Sequence, residues 1–188
     1  MSAPRRKPKA EDPRAELLGA LGEVFRTHGY EGASLTLITQ ATGLGKGSLY
    51  NFFPGGKEQM AAEVLAEIDG WFERNVFLPL RESKDAKRGV DDMFDAVERY
   101  FHSGRRVCLV GVFALGSARD HFGRGVHGYF RRWADALEGA LRRGGLGAAE
   151  ARERAEDILL GIQGALVLAR ANADPKVFSR ALKRLRTT

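Results

Sequence analysis

The stretch Gly43–Phe53, which reads GLGKGSLYNFF, decides the fold of this 188-residue chain. It permits two interpretations: a phosphate-binding loop after a strand, or the turn and second helix of a helix-turn-helix. A P-loop requires the pattern G-x-x-x-x-G-K-[ST]. With Gly45 and Lys46 as the GK pair, Gln40 takes the place of the first glycine and Gly47 that of the magnesium-binding hydroxyl. These mismatches exclude the P-loop and favour the helix-turn-helix.

Helical periodicity extends over the rest of the chain. Apolar residues recur at spacings of three and four in about nine segments, which is typical of amphipathic helices. The β-branched run Leu35–Thr39 stands alone, and an isolated strand cannot pair its backbone groups. We therefore predict an all-α fold of about nine helices. A long helix is expected to end at Pro79, a charged loop to follow over 81–89, and a buried central helix to span 107–118.

Composition limits the class of protein. The net charge is +6 and the isoelectric point about 9.7, which favours an acidic partner such as nucleic acid. The apolar run Val107–Leu115 is too short to cross a bilayer, and the first residues lack an apolar signal segment. The lone Cys108 excludes an internal disulfide and is expected to be a buried apolar residue rather than a redox sensor. We expect a cytoplasmic protein with no membrane partner.

The helix-turn-helix interpretation gives each residue of the stretch a role. Gly43 ends one helix in a left-handed conformation, Leu44 enters the core, and Gly45 is the N-cap of the next helix. Leu49 and one of Phe52 and Phe53 face inward. The polar and small residues that remain outside suit a DNA major groove; they are Lys46, Gly47, Ser48, Tyr50 and Asn51.

The segment from Gly29-Tyr30 through Ser34-Leu35, Thr42–Pro54 and Lys57-Glu58 resembles the DNA-binding domain of TetR-type transcriptional regulators. The basic run near the start predicts a disordered arm over 1–11. The resemblance implies a helix-turn-helix domain over 12–56 and a helical ligand-binding and dimerisation domain over 57–188 that begins with a long connecting helix. It also implies a homodimeric repressor that binds a palindromic operator and is released by a small apolar or aromatic effector. The alternative is a DNA-binding regulator with no small-molecule inducer.

Several positions differ from the usual pattern of this family. Thr39 and Thr42 replace alanine, Gly45 replaces serine, and Phe52 replaces histidine or tyrosine. The turn Pro54–Lys57 is one residue longer than usual and is similar to that of drug- and flavonoid-responsive repressors.

The DNA contacts are predicted in part from the resemblance. Ser34 is expected to cap its helix and to face a phosphate, and Lys57 to bind a phosphate. Tyr50 contacts a phosphate or packs under Phe53, and Asn51 pairs with adenine or with a phosphate. Arg5 and Arg6 either contact phosphates or belong to a solvated tail. Lys46 is the principal expected DNA contact; the alternative is an ordinary exposed lysine.

The second half of the chain contains the expected effector and dimer residues. Ligand pockets are mostly apolar with a few polar groups, and the expected lining consists of Trp71, Phe101, Phe113, Phe130, Trp133 and Gln163. Gln163 orients a ligand, crosses a dimer interface or faces solvent. The expected dimer interface consists of Ile158, Ile162, Ala165, Ala169, Phe178 and Leu182. No nucleophile–base pair or metal motif is present, so we predict no enzyme, no metal and no cofactor.

Overall fold

The computed structural model describes residues 13–187, and within them the chain forms helices joined by short turns, with no strand. The predicted all-α fold is therefore confirmed. Arg5, Arg6 and the arm over 1–11 lie outside the described residues. The helices are α1, Pro13–Gly32; α2, Leu35–Thr42; α3, Lys46–Phe52; α4, Gly56–Phe72, continued by Glu73–Phe77 and Leu78–Glu82; α5, Ala86–Tyr100; α6, Leu109–Leu115; α7, Ala118–Arg143; α8, Ala148–Ala171; and α9, Lys176–Thr187.

The first three helices enclose a small apolar core. Leu21 and Phe25 of α1, Ile38 of α2, and Leu49 and Phe53 of the α3 segment are fully buried. α1 is interrupted at Gly29, whose φ of 69° and ψ of 179° are not helical. This interruption turns Tyr30 toward the second half of the molecule, where its ring meets Phe113 and Phe122.

α4 does not end where the sequence predicts. The helix continues past Pro79 to Glu82, and only residues 83–85 separate it from α5, so the expected charged loop over 81–89 is wrong. Proline lacks an N–H and its ring clashes with the carbonyl four residues earlier. Here Glu73–Phe77 is π-helical, and the Leu78 N–H bonds to the Glu73 carbonyl. This local change in hydrogen bonding immediately precedes Pro79 and allows the helix to continue.

Aromatic rings fill the centre of the second half. The Phe72 ring is the hub of this cluster, with its centroid 4.8 Å from that of Tyr100, 5.1 Å from that of Tyr129 and 5.2 Å from that of Trp133. Residues far apart in sequence thus bury one shared surface between α4, α5 and α7. Burial of this kind is the main contribution to the stability of a helical core.

The central helix is shorter than predicted. Instead of spanning 107–118, α6 begins after Cys108, whose Sγ accepts a hydrogen bond from the Gly111 N–H at 3.3 Å, and it ends at Leu115. Leu115 is 87% exposed, so the helix is not buried on all sides. Cys108 itself is buried as expected, and burial raises the pKa of its thiol.

Candidate DNA-binding site

The turn between α2 and α3 consists of three residues, Gly43, Leu44 and Gly45. Gly43 has a φ of 68° and a ψ of 5°, and its N–H donates to the Thr39 carbonyl. This left-handed conformation is accessible to glycine without a Cβ penalty. Gly45 is extended, and its carbonyl accepts from the Leu49 N–H at 3.0 Å. The turn therefore ends α2 and starts α3 as the sequence predicts.

Ser34 caps α2 in the predicted way. Its Oγ accepts a hydrogen bond from the Leu37 N–H at 3.3 Å, and its backbone is extended. This leaves other N–H groups of the first turn unpaired within the helix, and such groups attract anions. Contact between Ser34 and a DNA phosphate stays a prediction.

One face of α3 packs on the core and the other is open. Leu49 and Phe53 are fully buried, whereas Tyr50 is 46% and Phe52 44% exposed. Within residues 13–187 the Tyr50 hydroxyl has no hydrogen-bond partner, so it is available to a ligand. The outward residues of the site are all exposed: Lys46, Gly47, Ser48, Tyr50, Asn51 and Phe52.

Phe52 is absent from the predicted DNA-binding residues although it shares their surface. The sequence alone does not say which of Phe52 and Phe53 faces the core. The spacing identifies the buried ring, because Leu49 and Phe53 lie four positions apart and share one face of the helix. Phe52 therefore adds an exposed apolar ring to the polar surface of α3.

Lys57 makes contacts that the sequence did not predict. Its Nζ donates to the carbonyl of Tyr30 at 2.9 Å and to that of Glu31 at 3.4 Å, and it lies 4.6 Å from the centroid of the Tyr30 ring. The ammonium has three protons, so one stays available for the predicted phosphate. In this structure Lys57 ties the start of α4 to the end of α1.

The end of α1 also contacts the second half of the molecule. The Tyr30 centroid lies 5.4 Å from that of Phe122 in α7 and 6.0 Å from that of Phe113 in α6. The hydroxyl of Ser117 donates to the Glu31 carboxylate, and this bond lowers the pKa of Glu31. Burial, together with the nearby acids, raises the pKa of the Tyr30 hydroxyl. Tyr30 and Glu31 thus connect the helix-turn-helix to α6 and α7.

The six predicted effector residues do not line one pocket. Phe101, Phe113 and Trp133 are at most 1% exposed and belong to the packed core. Phe130 is half-buried against Tyr129, and Trp71 lines a cavity beside α1. The helical spacing of these aromatic residues does not distinguish a ring that lines a pocket from a ring in the core. Several of the residues predicted to line a pocket are therefore core residues.

Gln163 is not the solvent-facing residue that one alternative proposed. Its Nε2 is buried, and within residues 13–187 it has no hydrogen-bond partner. The Gln163 side chain nevertheless lies close enough to Cys108 to lower the pKa of its thiol, although burial raises that pKa by more. Its roles toward a ligand or a partner subunit stay predictions.

A cavity of about 370 Å³ lies between α4, α6 and α7. The Tyr129 hydroxyl is buried without a partner among residues 13–187, and burial raises its pKa. At the same cavity Asp69 pairs with Arg132; burial raises the pKa of Asp69, and the guanidinium opposes that shift. The apolar part of the wall consists of Ala62, Leu65, Ala66, Val110, Phe122 and Val126. No local sequence pattern marks this set, because its members come from three separate helices.

The predicted dimer residues are all inside the protomer. Ile158, Ile162, Ala165, Ala169, Phe178 and Leu182 are at most 5% exposed. They pack against neighbouring helices of the same chain, so the predicted interface is wrong for these residues, although Ala165 also lines a surface groove beside α8 and α9. The exposed apolar residues of α8 are instead Leu160, Val167 and Leu168, at 70%, 60% and 53%.

The fold and the open face of α3 define a helix-turn-helix DNA-binding protein, and comparison with known proteins gives the family. Residues 17–64 match the family described as bacterial regulatory proteins, tetR family, and residues 86–184 match the transcriptional regulator LmrA/YxaF-like C-terminal domain. The chain belongs to the TetR family of transcriptional regulators, and its relatives are regulators rather than enzymes.

Individual relatives agree with this assignment. The HTH-type transcriptional regulator LmrA of Bacillus subtilis is 27% identical over 161 residues, which cover 84% of this chain and 86% of that protein. A TetR regulator from Legionella pneumophila has the same fold, with a TM-score of 0.78 at 20% identity over 95% of this chain and 98% of its own. A cysteine mutant of the regulator CifR, complexed with 26-base-pair operator DNA, has a TM-score of 0.73 at 26% identity over 97% and 99%. Within residues 13–187, no helix is long and apolar enough to cross a membrane.

Proposed function

We propose that this regulator is a homodimeric repressor that binds a palindromic operator through α3 and is released by a small apolar or aromatic effector. The open face of α3 carries the proposal: a cation, small polar groups and aromatic rings lie together on a helix whose opposite face is buried. A helix in the major groove needs such a surface, and two copies related by symmetry read a longer site than one. The complex of CifR with its operator supports the same mode of binding.

The second copy is proposed to dock on α8 and α9. Leu160, Val167 and Leu168 form an exposed apolar stripe on α8, since positions seven and eight apart share a helix face. Beside it lies a groove of about 280 Å³ with small residues on its floor, including Gly161, Gly164 and Ala165. Contiguous apolar surface of this kind marks an interaction site.

The effector is proposed to occupy the cavity between α4, α6 and α7. Its volume and mostly apolar wall suit a molecule of one or two rings, and the Asp69–Arg132 pair at the cavity offers polar contacts. Phe122 belongs to the cavity wall and contacts Tyr30, whose carbonyl holds Lys57 at the start of α4. A ligand that displaces Phe122 therefore acts directly on the support of the helix-turn-helix.

The DNA-binding part is tested by selection of bound sequences from a random duplex library with the purified full chain. The expected result is a palindromic site bound with an affinity that falls steeply with salt, because phosphate contacts release counterions. A dimer that shows no sequence preference across the library contradicts the proposal. The selected site then serves as the probe for fluorescence anisotropy.

The effector part is tested with a cavity-filling variant. Gly128 lines the cavity and a Cβ there meets no atom within 4 Å, so Gly128→Leu is chosen to place a larger side chain in this space. Gly123→Leu on the same helix is the matched control, because Gly123 is also open but is not part of the wall. We expect aromatic compounds that release the operator from the wild type and from Gly123→Leu to fail with Gly128→Leu. If the compounds release the operator equally from the wild type and from both variants, the assignment of the effector to this cavity is contradicted.

A second candidate function is a DNA-binding regulator without a small-molecule effector. The packed aromatic core favours it, since the rings of Phe72, Phe101, Phe113 and Trp133 are buried in the second half rather than lining an open pocket. Under this alternative no compound releases the operator, and Gly128→Leu and Gly123→Leu behave as the wild type.

A further inference from the structure

A second cavity, of about 320 Å³, lies where α1 meets α4 and α5. It is separate from the effector cavity proposed above and has different chemistry. Apolar and aromatic residues from three helices form one part of its wall: Leu18, Val64, Ile68, Trp71 and Tyr100. Basic residues form another part: Arg26, Arg99, His102 and Arg106.

Arg26 is the buried charged residue of the described chain, at 8% exposure. Its Nη1 donates to Glu23 Oε1 at 2.9 Å and its Nη2 to the Tyr100 hydroxyl at 3.2 Å. Its Nε is buried and has no partner among residues 13–187. A guanidinium has five N–H groups, so most of its donors are unused. A buried donor without an acceptor is costly and calls for an explanation.

The surrounding charges do not neutralise Arg26. Glu23 Oε1 also accepts from Arg106, at 3.1 Å from Nε and 2.8 Å from Nη2, so two guanidinium groups share one carboxylate oxygen. Arg99 has no ion pair or hydrogen bond among residues 13–187. Glu67, the acid in the cavity wall, lies 3.9 Å from Arg74, which is a further cation. The cavity therefore carries uncompensated positive charge.

The backbone of α1 makes room for this guanidinium. A Cβ on Gly22 would lie 3.0 Å from Arg26 Nη1 and 3.5 Å from Val64 Cγ1. A glycine inside a helix costs about 1 kcal/mol relative to alanine. The position of Arg26 explains why residue 22 is glycine, because the guanidinium would have to move if a larger residue stood there.

We infer that this cavity binds a small aromatic carboxylate. A monoanion matches the excess positive charge, and a carboxylate accepts hydrogen bonds from guanidinium groups in a fixed planar geometry. Tyr100 keeps its proton at neutral pH, because burial raises its pKa, and it donates to the same ligand. The rings of Trp71 and Tyr100, whose centroids lie 4.6 Å apart, form an aromatic wall for the ring of the ligand. The volume suits one or two fused rings.

The test is isothermal titration calorimetry of the full chain with 2-naphthoate and with the neutral 2-naphthamide, in the absence of DNA. We expect the naphthoate to bind at least about tenfold more tightly than the amide, because charge-assisted hydrogen bonds are stronger than neutral ones. Equal affinity for the two compounds, or no binding of naphthoate at millimolar concentration, overturns the inference.

Two variants locate the binding. Arg26→Met keeps a long apolar stem and removes the charge, and we expect an affinity loss of about 10- to 100-fold. Gly19→Leu is the second variant in case Arg26→Met does not fold: Gly19 lines the cavity, and a Cβ there meets no atom within 4 Å. We expect it to abolish binding while Gly19→Ala weakens it only in part.

Arg88→Gln is the matched control, because Arg88 is an exposed arginine of α5 outside the cavity. We expect it, and the Gly128→Leu variant of the other cavity, to bind naphthoate as the wild type does. Binding that survives Gly19→Leu, or that is lost in Gly128→Leu, overturns the assigned site. Since the titration contains no DNA, its outcome is independent of whether the proposed operator binding holds.

Discussion

At the scale of single residues, the glycines of the stretch Gly43–Phe53 have separate physical roles. Gly43 has a left-handed backbone, with a φ of 68°, whereas Gly47 lies inside α3. A Cβ at either position meets no atom within 4 Å. Steric space for a Cβ is therefore available at both positions. The two positions differ in the backbone conformation that a substituted residue must adopt.

This difference predicts opposite effects of the same substitution. Gly43→Ala is expected to lower the free energy of unfolding by about 1–2 kcal/mol, because a left-handed alanine is strained. Gly47→Ala is expected to raise it by about 0.5–1 kcal/mol, because alanine favours a helix, while it weakens operator binding by separating the backbone from DNA. Urea unfolding and anisotropy measure the two quantities. A stabilising effect of Gly43→Ala contradicts the assigned conformation.

Lys46 is the first residue of α3 and is exposed, which suits a phosphate contact. Lys46→Ala is expected to weaken binding to all duplex sequences by a similar factor and to reduce the salt slope by about one. Anisotropy against the operator and a scrambled duplex at several salt concentrations tests this, with Lys84→Ala in the loop before α5 as the control. A loss confined to one base position of the operator shows instead that Lys46 reads a base.

At the scale of helices, the contacts between elements determine how the DNA-binding face is held. α4 begins at Gly56, and its Lys57 bonds to two carbonyls at the end of α1. The same end of α1 contacts α6 and α7 through Tyr30 and Glu31. We propose that a shift of α7 changes the position of α4 relative to α1, and with it the orientation of α3.

Lys57→Met tests whether this residue supports the helices or binds DNA directly. If its main role is the tie between α1 and α4, the free energy of unfolding falls by about 1–3 kcal/mol, as expected when hydrogen bonds to a charged group are lost. The control is Lys84→Met, which removes an exposed lysine. Unchanged stability together with a smaller salt slope of DNA binding contradicts the tie and supports the predicted phosphate contact.

At the scale of the whole molecule, α8 separates the interior from a second apolar surface. Ile158 and Ile162 are buried within the protomer, while Leu160 and Val167 are exposed on another side of the same helix. Both sides are apolar, so the helix is suited to contacts with its own chain and with a partner. The proposed homodimer uses the exposed side.

Val167→Glu is expected to convert the dimer to a monomer, because it places a charge in a desolvated apolar contact. Leu115→Glu is the control, since Leu115 is an exposed apolar residue at the end of a different helix, α6. Sedimentation equilibrium measures the mass of both variants. A dimeric Val167→Glu with the stability of the wild type contradicts the proposed interface.

The helix-turn-helix and the all-α class are predictable from the amino-acid sequence alone. The signals involved are local: the cap at Ser34 and the left-handed Gly43 depend on neighbours within one or two turns. Because the interacting residues are neighbours in the sequence, these elements can be predicted without knowing how the helices pack.

Which apolar residues belong to the core, to a pocket or to the surface depends on how the helices pack. Periodicity marks a side chain as apolar on a helix face, but it does not say which helix covers that face. Trp133 was therefore predicted in a pocket and lies in the core, and Ile162 was predicted at an interface and lies inside the protomer. The cavities and the contacts of Lys57 and Arg26 likewise join residues from separate helices, and such positions are fixed only when the helices pack.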